Sequence, residues 1–377
     1  TFKLPQADGS AGEVLRSDAS GALSFGSEIS PNMVNNGGMT ISQRYGTSEN
    51  TPSNNGHTLD QMRYDLSQTG KFKVQQVTDS PAGFSHSMKV TSLSAYTSSV
   101  NDYFLLQTFI EGTDSARLGW GTSDAQTVTL SFYVKSSITG VHACGIRNQN
   151  YSRGNTQTYT INNANTWERK TVTFTGDTSG TWLTTTNSGL KINFDLGSGS
   201  NFQAASTGAW LATNDFITSN SVKIVGTNAA TWYITGIQLQ VGDMPTPFQH
   251  RCFTEELTRC YRYYRRFGAN GALPTPGVYN RFCLGYSTSS SFARYAIQLD
   301  PPMRINPADS NFGHSGSFNI QPGSLGSGTI DCDDTACRVD LLIIRVDNAS
   351  FTSGTGSGVS LHANNDATAY IDISAEF

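Results

Sequence analysis

The tryptophans are the first residues in this chain that could do chemistry. Trp120 lies in Gly119-Trp-Gly, Trp182 follows Gly180-Thr, and Trp210 sits in a Gly/Ala loop. None of the three has an obvious place in a strand. An indole face can stack on the apolar C–H surface of a sugar while Asn, Asp and Thr neighbours bond its hydroxyls. Trp167 and Trp232, beside alternating strands, read as core instead. Tyr279, Tyr286, Phe292, Tyr295, Phe312 and His314 offer the same stacking chemistry nearer the C-terminus. These are the candidate ligand contacts, and ordinary packing is the competing reading for each.

Bond-breaking chemistry finds little footing. The chain has no Gly-x-Ser-x-Gly elbow, no His-Glu-x-x-His and no phosphate loop. Gly313-His-Ser-Gly316 lacks the strand–turn–helix setting of a nucleophile elbow. A glycosidase needs two carboxylates across a cleft. Glu111 with Asp114 or Asp195 is the pair to consider, against a reading of all three as turn and strand-edge carboxylates. Asp331-Cys-Asp-Asp-Thr-Ala-Cys337 crowds carboxylates and thiols together. It lacks the Gly and distal Glu of an EF-hand loop and the further ligands zinc would need. It reads as an acidic turn, with a Cys332–Cys337 bridge as the alternative. No catalytic residue and no cofactor are expected; calcium is the one metal left open, without a motif behind it.

The bulk numbers narrow the class. The 377 residues leave room for two or three domains. Only 14% are charged, with 37 glycines and much Ser, Thr and Asn. That composition favours strands, tight turns and a polar uncharged surface. A net charge of −4 provides no basic field for nucleic acid. The one basic cluster, Arg259, Arg262, Arg265 and Arg266, reads as the C-terminal end of a helix. No apolar run approaches a bilayer span, so membrane insertion is not expected. Thr1-Phe-Lys-Leu-Pro shows no signal peptide, and a start other than Met suggests a fragment. The six cysteines are scattered, which fits assembly in a reducing cytoplasm better than a disulfide framework.

Periodicity places the elements. Val14 and Leu15, then Asp18-Ala-Ser-Gly21, then Leu23 and Phe25 predict a small hairpin within residues 1–30. It is too small to bury its own apolar side chains, so its partners are expected to be copies of itself. Residues 31–250 read as one β-sandwich. Val128, Leu130, Phe132 and Val134 share one face, as do Ile192, Phe194 and Leu196, while Tyr103–Ile110 is apolar on both faces and should be central. In the last strand Trp232 and Ile234 share one phase and Ile237, Leu239 and Val241 the other. That slip predicts a β-bulge at Thr235-Gly236. A linker helix is predicted over 251–267, capped by Thr254, with Leu257, Cys260, Tyr261 and Tyr264 as its apolar stripe. Residues 268–377 form a smaller second β-domain. Its strand candidates are Phe282–Gly285, Arg294–Leu299, Val339–Val346 and Ala369–Ile373. Long Gly/Ser/Asn segments lie between them, so recognition is expected in this loop-rich region.

Three segments carry a family resemblance. Val34-Asn-Asn-Gly-Gly-Met-Thr-Ile-Ser-Gln-Arg-Tyr-Gly46 is similar to the opening of the sandwich domains of tailed-phage fibre proteins. The junction Trp232–Tyr264 resembles the exit from such a domain into a distal one. Pro302-Met-Arg304 and Ala369-Tyr-Ile-Asp-Ile-Ser-Ala-Glu-Phe377 look like that family's terminal strands. Asp60-Gln-Met-Arg-Tyr64 departs from the aromatic pair usual after the first loop. The stem-like start adds a fourth point of likeness. The resemblance implies an all-β chain: an N-terminal stem element, a jelly roll like a carbohydrate-binding module, a short linker helix and a distal β-domain. It also implies a homotrimer in the virion, joined to other structural proteins through the N-terminal element and binding host cell-surface polysaccharide without catalysis. A tail fibre is preferred to a capsid fibre or decoration protein, and a polysaccharide-degrading tailspike is the remaining alternative.

Overall fold

A computed structural model describes residues 13–17, 23–27, 30–53, 55–268, 281–351, 357–363, 366 and 368–377. They divide into two units: Thr1–Thr40, Glu49–His57 and Met62–His250, then Ile41–Ser48, Thr58–Gln61 and Arg251–Phe377.

The first unit opens with strands β1 (Glu13–Ser17) and β2 (Leu23–Ser27), paired from Glu13↔Ser27 to Ser17↔Leu23. This is the expected hairpin; its turn lies outside the described residues. Leu15 and Phe25 face each other across it and are exposed. The sandwich follows: β3 (Gly56–His57), β4 (Met62–Leu66), β5 (Phe72–Val77), β6 (Ser87–Ser92), β7 (Phe104–Glu111), a helical turn α1 (Gly112–Ser115), β8 (Val128–Ser136), β9 (Gly140–Arg147), β10 (Gly154–Ile161), β11 (Glu168–Phe174), β12 (Ser188–Asp195), β13 (Trp210–Leu211) and β14 (Thr231–Val241). The larger sheet runs β13-β10-β9-β12-β7-β4-β3, the smaller β11-β8-β14-β6-β5.

Alternation decides which face of each strand meets the other sheet. Val128, Leu130, Phe132 and Val134 of β8 are fully buried, as their spacing predicted. Phe132 packs edge-on against Phe194 of the larger sheet at 5.1 Å and Tyr159 at 5.0 Å. Trp232 of β14 reaches Phe194 at 5.8 Å. The even-numbered positions of β12 therefore look into the core, and Lys191, Asn193 and Asp195 look away from it.

The expected bulge is present. Thr235 pairs with Tyr133 and Gln238 with Ser131, so β14 spends one more residue than β8. Gly236 has φ +64°, and a Cβ there would meet the Phe84 ring at 2.7 Å. The kink keeps Ile234, Ile237 and Leu239 all buried. The backbone freed by it is taken up by residues 32–37. Ile237 N donates to Gly37 O at 3.0 Å, Asn32 Nδ2 donates to Ile237 O at 3.1 Å, and Leu239 N donates to Asn32 Oδ1 at 3.1 Å. A Cβ on Gly37 would collide with Ile237 O, which is why Gly stands there.

In the second unit the helix α2 spans Phe253–Tyr261, with Cys252 rather than Thr254 at its N-cap and no side-chain capping bond. The predicted helix through 267 is corrected: β15 (Tyr264–Gly268) is a strand. A helix this short is marginal alone. The extended alternative gains a full ladder with β25 (Tyr370–Ser374), from Tyr264↔Ser374 to Gly268↔Tyr370. It also lets Tyr264 Oη donate to Asp372 Oδ2 at 2.6 Å. The other strands are β16 (Arg281–Ser287), β17 (Ala293–Gln298), β18 (Phe312–Ser315), β19 (Phe318–Gln321), β20 (Gly323–Ser324), β21 (Thr329–Cys332), β22 (Leu341–Asp347), β23 (Ser350–Phe351) and β24 (Gly358–Ala363). They form β15-β25-β18, β19-β24-β16-β17-β22-β21 and β20-β23.

The segments 41–48 and 58–61 belong to this second unit, although the sequence pattern placed them in the sandwich. Gln43 explains part of it. Its Nε2 donates to Tyr264 O at 3.0 Å, and its backbone N donates to Asp60 Oδ2 at 2.7 Å. Arg44 lies over the Tyr264 ring at 3.5 Å and pairs with the buried Glu376. Burial pushes the Asp60 carboxyl up to about 6, against the pull of Arg44 and the Gln43 N–H.

Candidate binding site

The outer face of the larger sheet carries the unusual chemistry. Cross-strand registers put Arg147, Lys191 and Phe109 in one row, Asn193, Gln107 and Arg63 in the next, then Asp195, Leu105 and Asp65. Water normally covers such a face, yet Arg147, Asn193, Gln107, Asp65 and Lys191 are all buried. Two loops roof them. One carries Tyr151; the other carries Phe202, Asn214 and Phe216. Between them opens a cleft of about 260 Å³ lined by Asn55, Arg63, Asp65, Tyr103, Leu105, Arg147, Tyr151, Phe202, Asn214 and Phe216.

Arg147 is the hub. Its Nε donates to Asn193 Oδ1 at 3.2 Å, its Nη1 donates to Asn214 Oδ1, and its Nη2 donates to Gln107 Oε1 at 2.7 Å. The Gln107 nitrogen donates in turn to Asp65 Oδ2 at 2.7 Å, while Arg63 holds Asp65 Oδ1 at 2.9 Å. Burial brings the Arg147 guanidinium down to about 10. Lys191 is brought down to about 8, by burial first and by the cations Arg147 and Arg63 after it. At the far end, Asp195 accepts from Gly197 N at 2.9 Å and Ser198 N at 3.0 Å, and burial pushes it up to about 6.

The walls are aromatic and braced. Phe202 and Phe216 stack at 4.6 Å, and Tyr103 meets Phe202 edge-on at 5.9 Å. The Arg147 guanidinium lies 4.8 Å from the Phe216 ring and 5.0 Å from the Tyr151 ring. Tyr151 sits at φ +60° in a turn tied by Asn148, whose Oδ1 accepts from Ser152 N at 3.0 Å and Arg153 N at 3.1 Å. Flat apolar walls with a few convergent amides and cations are what a sugar ring needs: a face to stack on and groups to bond its substituents.

None of the residues singled out from the sequence lines this cleft. Trp120, Trp182 and Trp210 do come together, but on one another. Their rings meet edge-to-face at 4.7, 5.1 and 5.4 Å. Each indole N–H is spent inside the chain: Trp120 on Gln126 O at 2.7 Å, Trp210 on Thr175 O at 2.8 Å, Trp182 on Asp177 Oδ2 at 3.2 Å. Arg153 grips Asp177 with two bonds, at 2.8 and 2.5 Å. The trio packs as a small loop core, with Trp120 buried and the other two half-buried.

The C-terminal candidates scatter. Tyr286 is exposed and Tyr295 fully buried, and both border a groove of about 400 Å³ with Leu284, Ala296 and Ile343. Phe292 is half-buried beside Arg294. Phe312 and His314 belong to β18, rings 6.1 Å apart. Tyr279 lies outside the described residues.

Glu111 and Asp195 stand at opposite ends of the paired strands β7 and β12, about 20 Å apart at strand rise, so they cannot flank one bond. Asp114 is exposed in α1. Asp309, Cys332 and Asp334 bring their ligand atoms within 4.8 Å; Asp309 Oδ1 also accepts from Cys332 N at 2.8 Å, and Asp334 Oδ1 from Asp309 N at 2.6 Å. The Cys332 and Cys337 sulfurs are 3.1 Å apart, as free thiols. Gly313-His-Ser is strand, not elbow.

What the sequence reading missed is Arg147, Gln107 and Asn193. The available signal was the polar phase of central strands: Lys191, Asn193 and Asp195 alternate with the apolar residues that were noticed.

No family model matches the sequence, and no curated protein matches it. Solved structures are similar to part of the chain. One is the enzymatically active domain of tailspike protein 4 of bacteriophage CBA120, at 14% identity and a TM-score of 0.30, covering 56% of this chain and 21% of that one. This chain thus spans about a fifth of the tailspike chain it matches. A CBM4 structure is similar at 13% identity and a TM-score of 0.30, over 55% of this chain and 99% of its own. TmCBM61, solved with β-1,4-galactotriose, is similar at 10% identity and a TM-score of 0.27, over 56% of this chain and 98% of its own. At these identities no function passes from them to this chain.

Proposed function

We propose that the chain is a virion fibre protein that attaches a phage to its host by binding surface glycan, without turnover. The observation that carries the glycan part is the roofed cleft: Tyr151, Phe202 and Phe216 as aromatic walls beside the amides of Asn55 and Asn214 and the guanidinium of Arg147, which Gln107 and Asn193 hold from beneath. The virion part is supported by the fibre-like segments 34–46, 232–264 and 369–377. Host attachment then works by repetition. Each cleft binds weakly, and several copies on one particle raise the effective concentration of the next.

A homotrimer fits this reading, because Leu15 and Phe25 of the hairpin stand exposed and need cover. Sedimentation of the intact chain as a stable monomer at micromolar concentration removes that element of it.

The direct test is a panel of purified polysaccharides offered to the intact chain. Binding without release of reducing ends is the expected result. Release of sugar from a bound polysaccharide replaces the attachment reading with a depolymerising one. No binding across the panel removes the glycan reading.

A further inference from the structure

At and beneath the cleft, the described residues hold more positive charge than they neutralise: Arg147 lines it, and Lys191 lies under the lining residue Tyr151. Arg147 is buried, and its three acceptors, on Asn193, Asn214 and Gln107, are all neutral. A guanidinium has five N–H donors, which leaves two without an acceptor among the described residues. Asp65 is the carboxylate that acts on this cluster, and Arg63 already holds it at 2.9 Å. Lys191, opposite Arg147 across the strands, has rings rather than anions around its ammonium: Tyr151 at 3.8 Å and Phe109 at 5.6 Å. Among the described residues it makes no ion pair and no hydrogen bond. Among the described residues, Asp65 is the carboxylate that acts on both Arg147 and Lys191.

Buried cations without partners destabilise a fold, because desolvation is not repaid. Ordinary packing could have placed Leu, Met or Gln at these outward positions. Here the excess is gathered in one spot, beside aromatic walls and an open cleft. Asn193 Nδ2 adds a buried donor with no acceptor among the described residues. Around Arg147 and Lys191 themselves, the groups left over are donors and cations, with Asp65 the carboxylate that the ion pair to Arg63 already engages.

We infer that the cleft takes an anionic saccharide, whose carboxylate or sulfate is held by Arg147 with Lys191 beneath Tyr151, while the sugar ring stacks on the aromatic walls. The inference rests on the glycan reading of the cleft and narrows it to acidic sugars. A neutral sugar would dry the site further and leave both cations uncompensated. An acidic one supplies the missing charge through charge-assisted hydrogen bonds.

The test uses the intact chain and three probes: an oligogalacturonate, its carboxyl-reduced neutral form, and a sulfated galactan oligosaccharide. Calorimetry should show at least one acidic probe binding about tenfold or more tighter than the neutral one. Which acidic probe leads tells carboxylate from sulfate. Lys191→Gln, which removes an unpaired buried cation and should fold, is expected to shrink the acidic-to-neutral ratio toward one. Arg147→Gln should do the same where thermal melting shows it folded. Equal binding of acidic and neutral probes overturns the charge inference and leaves the glycan reading standing. An acidic preference that survives Lys191→Gln overturns it also. Failure of all three probes, together with a polysaccharide panel that binds nothing, overturns the glycan reading itself.

Discussion

The larger sheet of the sandwich hides charge beneath its loops, whereas β16 and β17 in the second unit leave apolar side chains bare. Arg147 is 2% exposed; Leu284 is 61% and Tyr286 50% exposed. Both are outward faces, and water would ordinarily select the reverse. A buried cation with neutral partners lowers stability, and that cost is what the proposed ligand would offset. A bare apolar strip lowers solubility and points to a contact with another macromolecule. The difference teaches that the two regions carry opposite surpluses on their outward faces: buried charge and amides in the sandwich, exposed apolar side chains in the second unit. The sequence places recognition in the loop-rich C-terminal region, whereas the cleft proposed above to hold glycan lies in the sandwich.

The largest effect is expected where the sandwich frame itself is broken. Deleting Gly236 turns Ile237 and Leu239 out of the core and forfeits about 5 kcal/mol, from two fully buried aliphatic side chains and the bulge they share. Calorimetry should find no cooperative sandwich transition. A melt like that of the parent chain refutes the role given to the bulge.

Acid should act on His142 of the sandwich and Asp60 of the second unit with opposite signs. Burial brings His142 down to about 4, with its Nε2 near Ile138 O as the weaker opposing influence. Its contribution is present above about 6.5 and lost as pH falls toward 4. Asp60, raised to about 6, contributes below its unfolded value and loses that contribution as pH rises through 6. Stability relative to His142→Leu should therefore fall with acidification. Stability relative to Asp60→Asn should rise. Each difference is on the order of 3 kcal/mol across its window. Slopes of the same sign contradict the assignment.

A smaller loss, about 2 kcal/mol, is expected from Arg153→Ala, which removes the cation from the buried Asp177 and leaves it only the Trp182 and Ser179 N–H donors among the described residues. Tryptophan fluorescence should shift with it. An unchanged melting point would mean that solvent replaces the arginine freely. The smallest effect has the opposite sign. The Tyr295 hydroxyl is buried without a partner among the described residues, so Tyr295→Phe should raise stability, by about 1 kcal/mol. A loss of that size instead reveals a bond to this hydroxyl in solution.

Much of the frame was legible because it depends on local alternation. The β8 pattern, the hairpin of β1 and β2 and the slip at Gly236 are each written within a dozen residues. The end of α2 was not, because the pull on Tyr264–Gly268 comes from Tyr370–Ser374, far along the chain. The same reason hid the cleft. Arg147, Gln107 and Asn193 lie on three strands, and only their register makes them one cluster. Gln43 and Arg44 stood out as a motif but not as partners of Tyr264 and Glu376. The tryptophans stand out in the sequence, where their Gly-rich settings suggest sugar platforms. Their N–H bonds to Gln126, Thr175 and Asp177 depend on loop closure that no local pattern records.

The central claim is that glycan is held in the sandwich cleft. Titrating the tightest-binding polysaccharide of the panel into the intact chain, Tyr151→Ala and Tyr286→Ala tests it most directly. The account predicts a loss of about tenfold or more for Tyr151→Ala, the stacking wall, and parental affinity for Tyr286→Ala. Parental affinity in Tyr151→Ala with loss in Tyr286→Ala would contradict it and return recognition to the C-terminal unit.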